Sequence, residues 1–393
     1  MIRAWWAHRQ GLDGSLSDAG PAEVLARSGW ARSLGGASPY LALHARAGTS
    51  RAAADEAVAR REIHELPAAR GCTYVVPEAD FALALSAAAG SSATELRTAE
   101  KLGVTEAEIS ALEAAVLRAL EGGEMGPDAI RDVTGGAWRS LGEEGRKRGL
   151  GTTLPVALGR LQRAGRIRRV PTDGRLDQQR YRYALWSPGP LEGRAIEPEQ
   201  VARELADRFF RWAGPATLDE FRTFAGLGVR AARAAVATLD LALLEHDPER
   251  LIHPDDLPTL AAFRMPDEPR YVLLGSVDSV LLLRRPLRAL LEPADLEQPI
   301  WGERGPVSVG TASDLPHHAI LDRGRLVGVW EYDPEAERIA WHAWVPRGPA
   351  LESAVAETER WIREELGDAR SFSLDSPRSR APRLAALRAG FTA

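Results

Sequence analysis

A chain of 393 residues, 45% hydrophobic and 27% charged, is long enough for several domains with real cores and too well mixed for a disordered polymer. No run approaches the roughly 20 apolar residues a membrane span needs, and the opening MIRAWWAHRQGLDG is charged where a secretory leader would be apolar, so the expected location is the cytoplasm, with no membrane partner. The single cysteine, Cys72, allows neither an intrachain disulfide nor a CxxC redox pair.

Residues 1–77 read as a winged helix. A helix opens at Pro21, SPYLALHARA follows and stops at Gly48, and Thr49-Ser50 caps RAAADEAVARR. EIHEL (62–66) and CTYVVP (72–77) then alternate as a two-stranded flap. The third helix, with Ser50 and Arg51 at its start, takes the place of a recognition helix. Residues 78–186 hold a helical segment, whose Ile109, Leu112, Val116 and Leu120 recur at helical spacing for packing, and then a second winged helix. In that unit Gly126-Pro127 starts a short helix and Gly151-Thr152-Thr153 caps TLPVALGRLQRAG. Asp173-Gly174 turns between IRRVP and QRYRYAL.

The Pro/Gly-rich stretch SPGPLEGRAIEPEQ leads to residues 197–260, which repeat the pattern a third time. From 265 to 393 the period changes to two. Strands around Tyr271–Gly275, Ala319–Leu321, Leu326–Tyr332 and Ile339–Val345 form a meander expected to curl into a small antiparallel β-barrel-like domain, with a helix over 350–366 and a last polar segment. The fold class is therefore α+β: three tandem winged-helix (helix-turn-helix) units, then the C-terminal β-domain.

Charge is distributed unevenly along this plan. Between Arg146 and Arg182 eleven basic residues stand against two acidic ones, Asp173 and Asp177, in a chain whose net charge is −5. The excess falls on the helix and wing of the second unit, and arginines that neutralise phosphates gain free energy by releasing counterions, so the expected partner is double-stranded DNA. The candidate contacts are Arg146, Lys147, Arg148, Arg160 and Arg163 before and on the helix, Thr152 and Thr153 at its N-terminus, and Arg168, Arg169, Arg175, Gln178, Gln179 and Arg180 on the wing. Ser50 and Arg51 add to these from the first unit. A tandem array in one chain can grip DNA as a monomer.

No GxxxxGK[ST] loop and no strand-borne GxGxxG occur, and the histidines include no HxxxH or Cys/His cluster, so neither a cofactor nor a metal is expected.

Four stretches carry a resemblance: SPYLALHARAGTSRAAADEAVARREIHELPAARGCTYVVPEAD, GLGTTLPVALGRLQRAGRIRRVPTDGRLDQQRYRYALW, HHAILDRGRLVGVWEYDPE and SFSLDSPRSRAPRLAALR. Together they resemble the winged-helix DNA-binding proteins that include the AlkZ/YcaQ-type crosslink-repair DNA glycosylases. The resemblance implies a concave basic DNA channel and a function in DNA repair. It also implies a water-positioning Gln-x-Gln or Gln-x-Asp dyad just before SPYLALHAR. Here the nearest register places Ala31 and Ser33 on those positions; no Gln lies between Gln10 and Gln162 and no Asp between Asp18 and Asp55. The remaining candidates for a catalytic group are Ser33, Gln10, His44 and Asp278, each with a plainer structural explanation as a loop hydroxyl, a helix-end amide, a half-buried helix residue and a turn or cap. Three readings follow. The first is a damaged-DNA-binding protein without the usual dyad, the second an active glycosylase that releases alkylated or crosslinked purines, and the third a winged-helix transcriptional regulator.

Overall fold

The computed structural model describes residues 1–90, 92–194, 197–302 and 305–391, with the side chains of 92–95 excepted. The chain is a mixture of helices and small antiparallel sheets. In the first 80 residues the helix Ser38–Ala47 ends where Gly48 adopts a left-handed conformation (φ 63°), and Arg51–Ala59 begins where Ser50 Oγ accepts from the Ala53 amide at 3.2 Å. Two strands, Ile63–Pro67 and Thr73–Pro77, follow as a hairpin, and the two-residue strand Ala31–Arg32 adds to its Thr73–Pro77 side.

Register decides which side chains meet. Val75 lies between Ala31 on one neighbour and Glu65 on the other, and Tyr74 lies between Arg32 and Leu66. Directly opposed residues share a face of the sheet, so Ala31, Val75, Ile63 and Glu65 point one way. Ser33 continues that face, its amide donating to Thr73 O at 3.0 Å. Both faces are covered: Ile63 and Val75 join a core with Tyr40, Leu43, Trp330 and Trp361, while Leu66, Tyr74 and Val76 join another with Trp30, Phe81 and Trp212. The first sheet is thus packed from both sides, which fixes its side chains more firmly than a solvent-facing flap would.

The second helical region packs Leu154–Arg163 against Glu106–Leu120 through Ile109, Leu112, Val116, Ala157 and Leu161. The strands Ile167–Pro171 and Tyr181–Leu185 pair with Arg169 opposite Tyr183. Farther on, a capping box at Thr217 and Glu220 starts Leu218–Ala225, and a three-stranded sheet follows in the order Ala216–Thr217, Asp247–Ile252, Ala242–Leu244. Trp5 and Trp6, near the N-terminus, are buried here, donating to Gly214 O and Pro215 O at 2.9 and 3.1 Å.

The C-terminal sheet departs from the expected barrel. Its order is Arg338–Ala343, Arg325–Asp333, His318–Asp322, Tyr271–Leu274, an open array whose two end strands do not pair with each other. It buries a face on other elements rather than on itself: Leu273, Trp330 and Ile339 share a core with Leu351, Val355 and Trp361 of the helix Pro349–Trp361 and with Tyr40 and Leu41 of the first unit. One apolar core therefore joins residues from the two ends of the sequence. Among the described residues no helix is long and apolar enough to cross a membrane.

Candidate nucleic-acid interface

The basic residues read from the sequence fall into three groups. Several are neutralised within the chain: Arg160 pairs with Glu106 and Glu113 at 2.7 and 2.8 Å, Lys147 with Glu143 and Glu144, and Arg148 lies 4.0 Å from Glu144. Arg168 reaches Glu124 at 3.9 Å. Others are drawn into contacts that span the chain. Arg175 holds Asp177 and donates to Leu366 O at 3.1 Å, and Arg51 donates to Glu365 O from Nε while pairing with Asp55. Ser50 Oγ caps its helix by accepting from the Ala53 amide, and Thr153 is fully buried with Oγ1 accepting from the Arg139 amide, so Thr153 does not present its hydroxyl to a phosphate. The first unit's expected recognition helix is thus fastened to the C-terminal region at its leading end. Sequence spacing could not show the long-range contacts, because Glu106, Glu113, Glu124 and Glu365 are remote in sequence from the basic residues they meet.

The third group remains available. Arg146 and Arg180 are exposed, and among the described residues neither has an ion-pair partner. Gln179 donates to Leu34 O at 3.3 Å, and Gln178 stands beside it, half-buried. Arg169 is turned inward, its guanidinium 4.8 Å from the centre of the Tyr181 ring. Burial alone would pull its pKa down, but Tyr183, Glu65 and Tyr181 around it raise it, so Arg169 stays cationic.

Between these elements lies an open cavity of about 550 Å³. Pro67, Gly71 and Thr73 of the first sheet form one wall; Arg131, Thr152, Leu154, Gln162, Arg163, Arg169 and Tyr183 of the second unit form the other. Just behind Thr73 is a buried polar pair. Ser33 Oγ, in a residue 2% exposed, donates to Glu65 Oε1 at 2.5 Å, and Glu65 is itself only 5% exposed. Glu65 Oε2 is buried with no hydrogen-bond partner. The neighbouring Tyr181 hydroxyl has its pKa raised by burial and then by the Glu65 carboxylate. The sharp bend after Ser33 depends on glycine: at Gly35 (φ 69°) a Cβ would stand 2.4 Å from Gln179 Cγ, and at Gly36 one would stand 2.4 Å from Arg370 O. These two close approaches bring the wing residue Gln179 and the segment 370–373 against the end of the Ser33 strand.

Glu65 escaped sequence reading because EIHEL reads as an ordinary strand. The available signal was parity: Ile63 and Glu65 share a face, so a carboxylate sits on an apolar stripe, an arrangement that calls for a partner.

The other catalytic candidates do structural work. Asp278 caps the short helix Ser279–Leu282 by accepting from the Val280 amide at 3.0 Å, and it takes both Arg46 Nη1 and Nη2 at 2.8 and 2.7 Å, all buried. Gln10 completes that cluster. It donates to Trp212 O at 2.9 Å and accepts from Ser279 Oγ at 2.9 Å and Arg46 Nη2 at 3.3 Å. His44 stacks on Trp361 with ring centres 3.9 Å apart. Of the catalytic candidates only Ser33 touches a residue that lines the cavity, through its amide bond to Thr73 O.

The DNA glycosylase AlkZ-like family model matches residues 31–370, and the chain belongs to that family. It shares its fold with the solved Streptomyces sahachiroi DNA glycosylase AlkZ: identity is 20%, the TM-score 0.68, and the match covers 94% of this chain and 97% of that one. No curated protein matches the sequence.

Proposed function

We propose that the chain binds duplex DNA containing a damaged base and hydrolyses the bond between that base and its sugar, with the helix-and-hairpin units acting as tandem winged helices. The observation that carries this reading is a buried carboxylate, Glu65, that acts on Arg169, one of the arginines lining an open cavity, in a member of a DNA glycosylase family. A base removed from the stack needs a concave, partly apolar receptor, and Leu154, Tyr183 and Thr73 supply one, with Arg131, Arg163 and Arg169 at its walls. On the other side of Ser33, the Ser373 amide donates to Leu34 O at 3.0 Å and Leu374 stands 83% exposed, an apolar side chain suited to filling the gap an extruded base leaves. The alternative, damaged-DNA binding without catalysis, is supported by Ala31 and Ser33 standing where the resemblance implies a Gln-x-Gln or Gln-x-Asp dyad.

Two measurements test it. The protein should release free base, detected by mass spectrometry, from a duplex with an alkylated purine or a nitrogen-mustard crosslink. Anisotropy should show binding to the same duplexes that weakens steeply with salt. Reversing the charges of Arg146 and Arg180, the exposed arginines without an ion-pair partner among the described residues, should weaken binding to all duplexes and flatten the log K against log salt slope by about 1 for each phosphate no longer neutralised. Unchanged affinity in that double variant removes this face from DNA binding, and binding without any base release leaves only the DNA-recognition half of the reading.

A further inference from the structure

The family match names no residue that activates water, and the sequence offers none at the positions where the resemblance places them. We infer that Glu65 is the group that takes the proton from the attacking water, and that Ser33 is the positioning residue that fixes its carboxylate. This rests on the proposed glycosylase reading.

Glu65 crosses the central strand diagonally to meet Ser33, because Val75 and Thr73 separate the two on one face of the sheet. Ser33 occupies Oε1, and Oε2 is buried with no close hydrogen bond, the Tyr181 hydroxyl acting on the carboxylate from nearby. A buried carboxylate oxygen with an empty acceptor position is costly to keep unless something else fills it, and a water molecule is the smallest donor that can. Thr73, next to Glu65 on the same sheet face, and Arg169, whose charge acts on it, both line the cavity where a base would be received. Glu65 and the cavity thus share Thr73 and Arg169 as neighbours. Besides Ser33, the charged and titratable groups that act on it come from the wing: the Arg169 guanidinium and the Tyr181 hydroxyl.

An alkylated purine carries a positive charge on its ring, so the glycosidic electron pair leaves with the base and the base departs neutral. Water oxygen forms the new bond to C1′ as the C1′–N bond breaks. One water proton passes to Glu65 Oε2, which later returns it to solvent, and the other stays on the sugar hydroxyl. A positioned base of this kind contributes roughly 10²- to 10⁴-fold to a rate.

The test is single-turnover base release from an alkylated duplex by the full chain, with binding of the same duplex measured in parallel. Glu65→Gln keeps the size of the side chain and its acceptor for Ser33. It should bind DNA within about twofold of the unaltered protein and release base at least about 100-fold more slowly. Ser33→Ala is the second variant and serves if Glu65→Gln does not fold. It should slow release by the bound complex with DNA affinity unchanged, and Ser33→Thr, which keeps a hydroxyl for Glu65 Oε1, should restore the rate; a merely structural serine would leave the rate of the bound complex in place. Release by Glu65→Gln within a few-fold of the unaltered protein overturns the assignment while leaving the glycosylase reading intact. An unchanged release rate in Ser33→Ala, or a slow rate that Ser33→Thr fails to restore, overturns the positioning role, and absence of release by the unaltered protein overturns the glycosylase reading beneath both.

Discussion

Asp278→Ala is expected to lower the unfolding free energy by about 3–5 kcal/mol, because it strands a buried arginine. Arg46 and Asp278 are each only 1% exposed at the side chain and meet through two hydrogen bonds, and Arg46 also reaches Gln10 and Ser279. Taking the carboxylate away leaves a guanidinium in a low-dielectric interior with neutral partners only, and it removes the cap of Ser279–Leu282 as well. Urea unfolding at neutral pH measures the loss directly. A variant with unchanged stability that no longer released base would make Asp278 a functional carboxylate rather than a structural one.

The second large effect is a loss of stability in mild acid, set by His64. Its side chain is buried against Phe81 and Trp186, with ring centres 6.2 and 5.3 Å away. Burial, reinforced by the positive charges of Arg168 and Arg61, pushes its pKa from 6.5 down to about 3. Between those two values the unfolded chain binds a proton at His64 that the folded chain does not, so stability falls as the pH falls. Its share is about 2 kcal/mol between pH 6.5 and 5, approaching about 5 kcal/mol near pH 3. His64→Leu keeps an apolar side chain against the same aromatic rings and removes the titration. Unfolding free energies at pH 7 and pH 5 should differ by about 2 kcal/mol less in this variant than in the unaltered protein. An equal difference in the two proteins would place the acid sensitivity elsewhere.

Much of the local structure was legible because its signals are local. Ser50 and Gly48 mark a helix start and stop whatever surrounds them, and the alternation in IRRVP and QRYRYAL specifies a hairpin around Asp173-Gly174. The open C-terminal sheet was not legible, since an alternating strand pattern says that one face is buried but not against what; here the Pro349–Trp361 helix and the first unit's Tyr40 cover it. The site divides along the same line. Ser33 could be singled out by its place in the sequence, but its partner lies 32 residues away on a strand that reads as ordinary. Runs of like charge in sequence overstate the free charge in the fold: Arg160 is matched by Glu106 and Glu113 from another helix, whereas Arg180, in the same run, stays unmatched among the described residues.

In the function proposed, DNA lies across the face where the Ser33 strand, the basic wing and the 371–376 segment converge. Hydrogen–deuterium exchange of the full chain, free and with an alkylated duplex, tests this most directly, since exposed loop amides respond to bound DNA within seconds to minutes. Slowed exchange is predicted in residues 34–36, 172–180 and 371–376 together, with little change in the sheet formed by Asp247–Ile252 and its neighbours. Protection confined to that sheet or to the open C-terminal sheet, with the three loops unaffected, would contradict it.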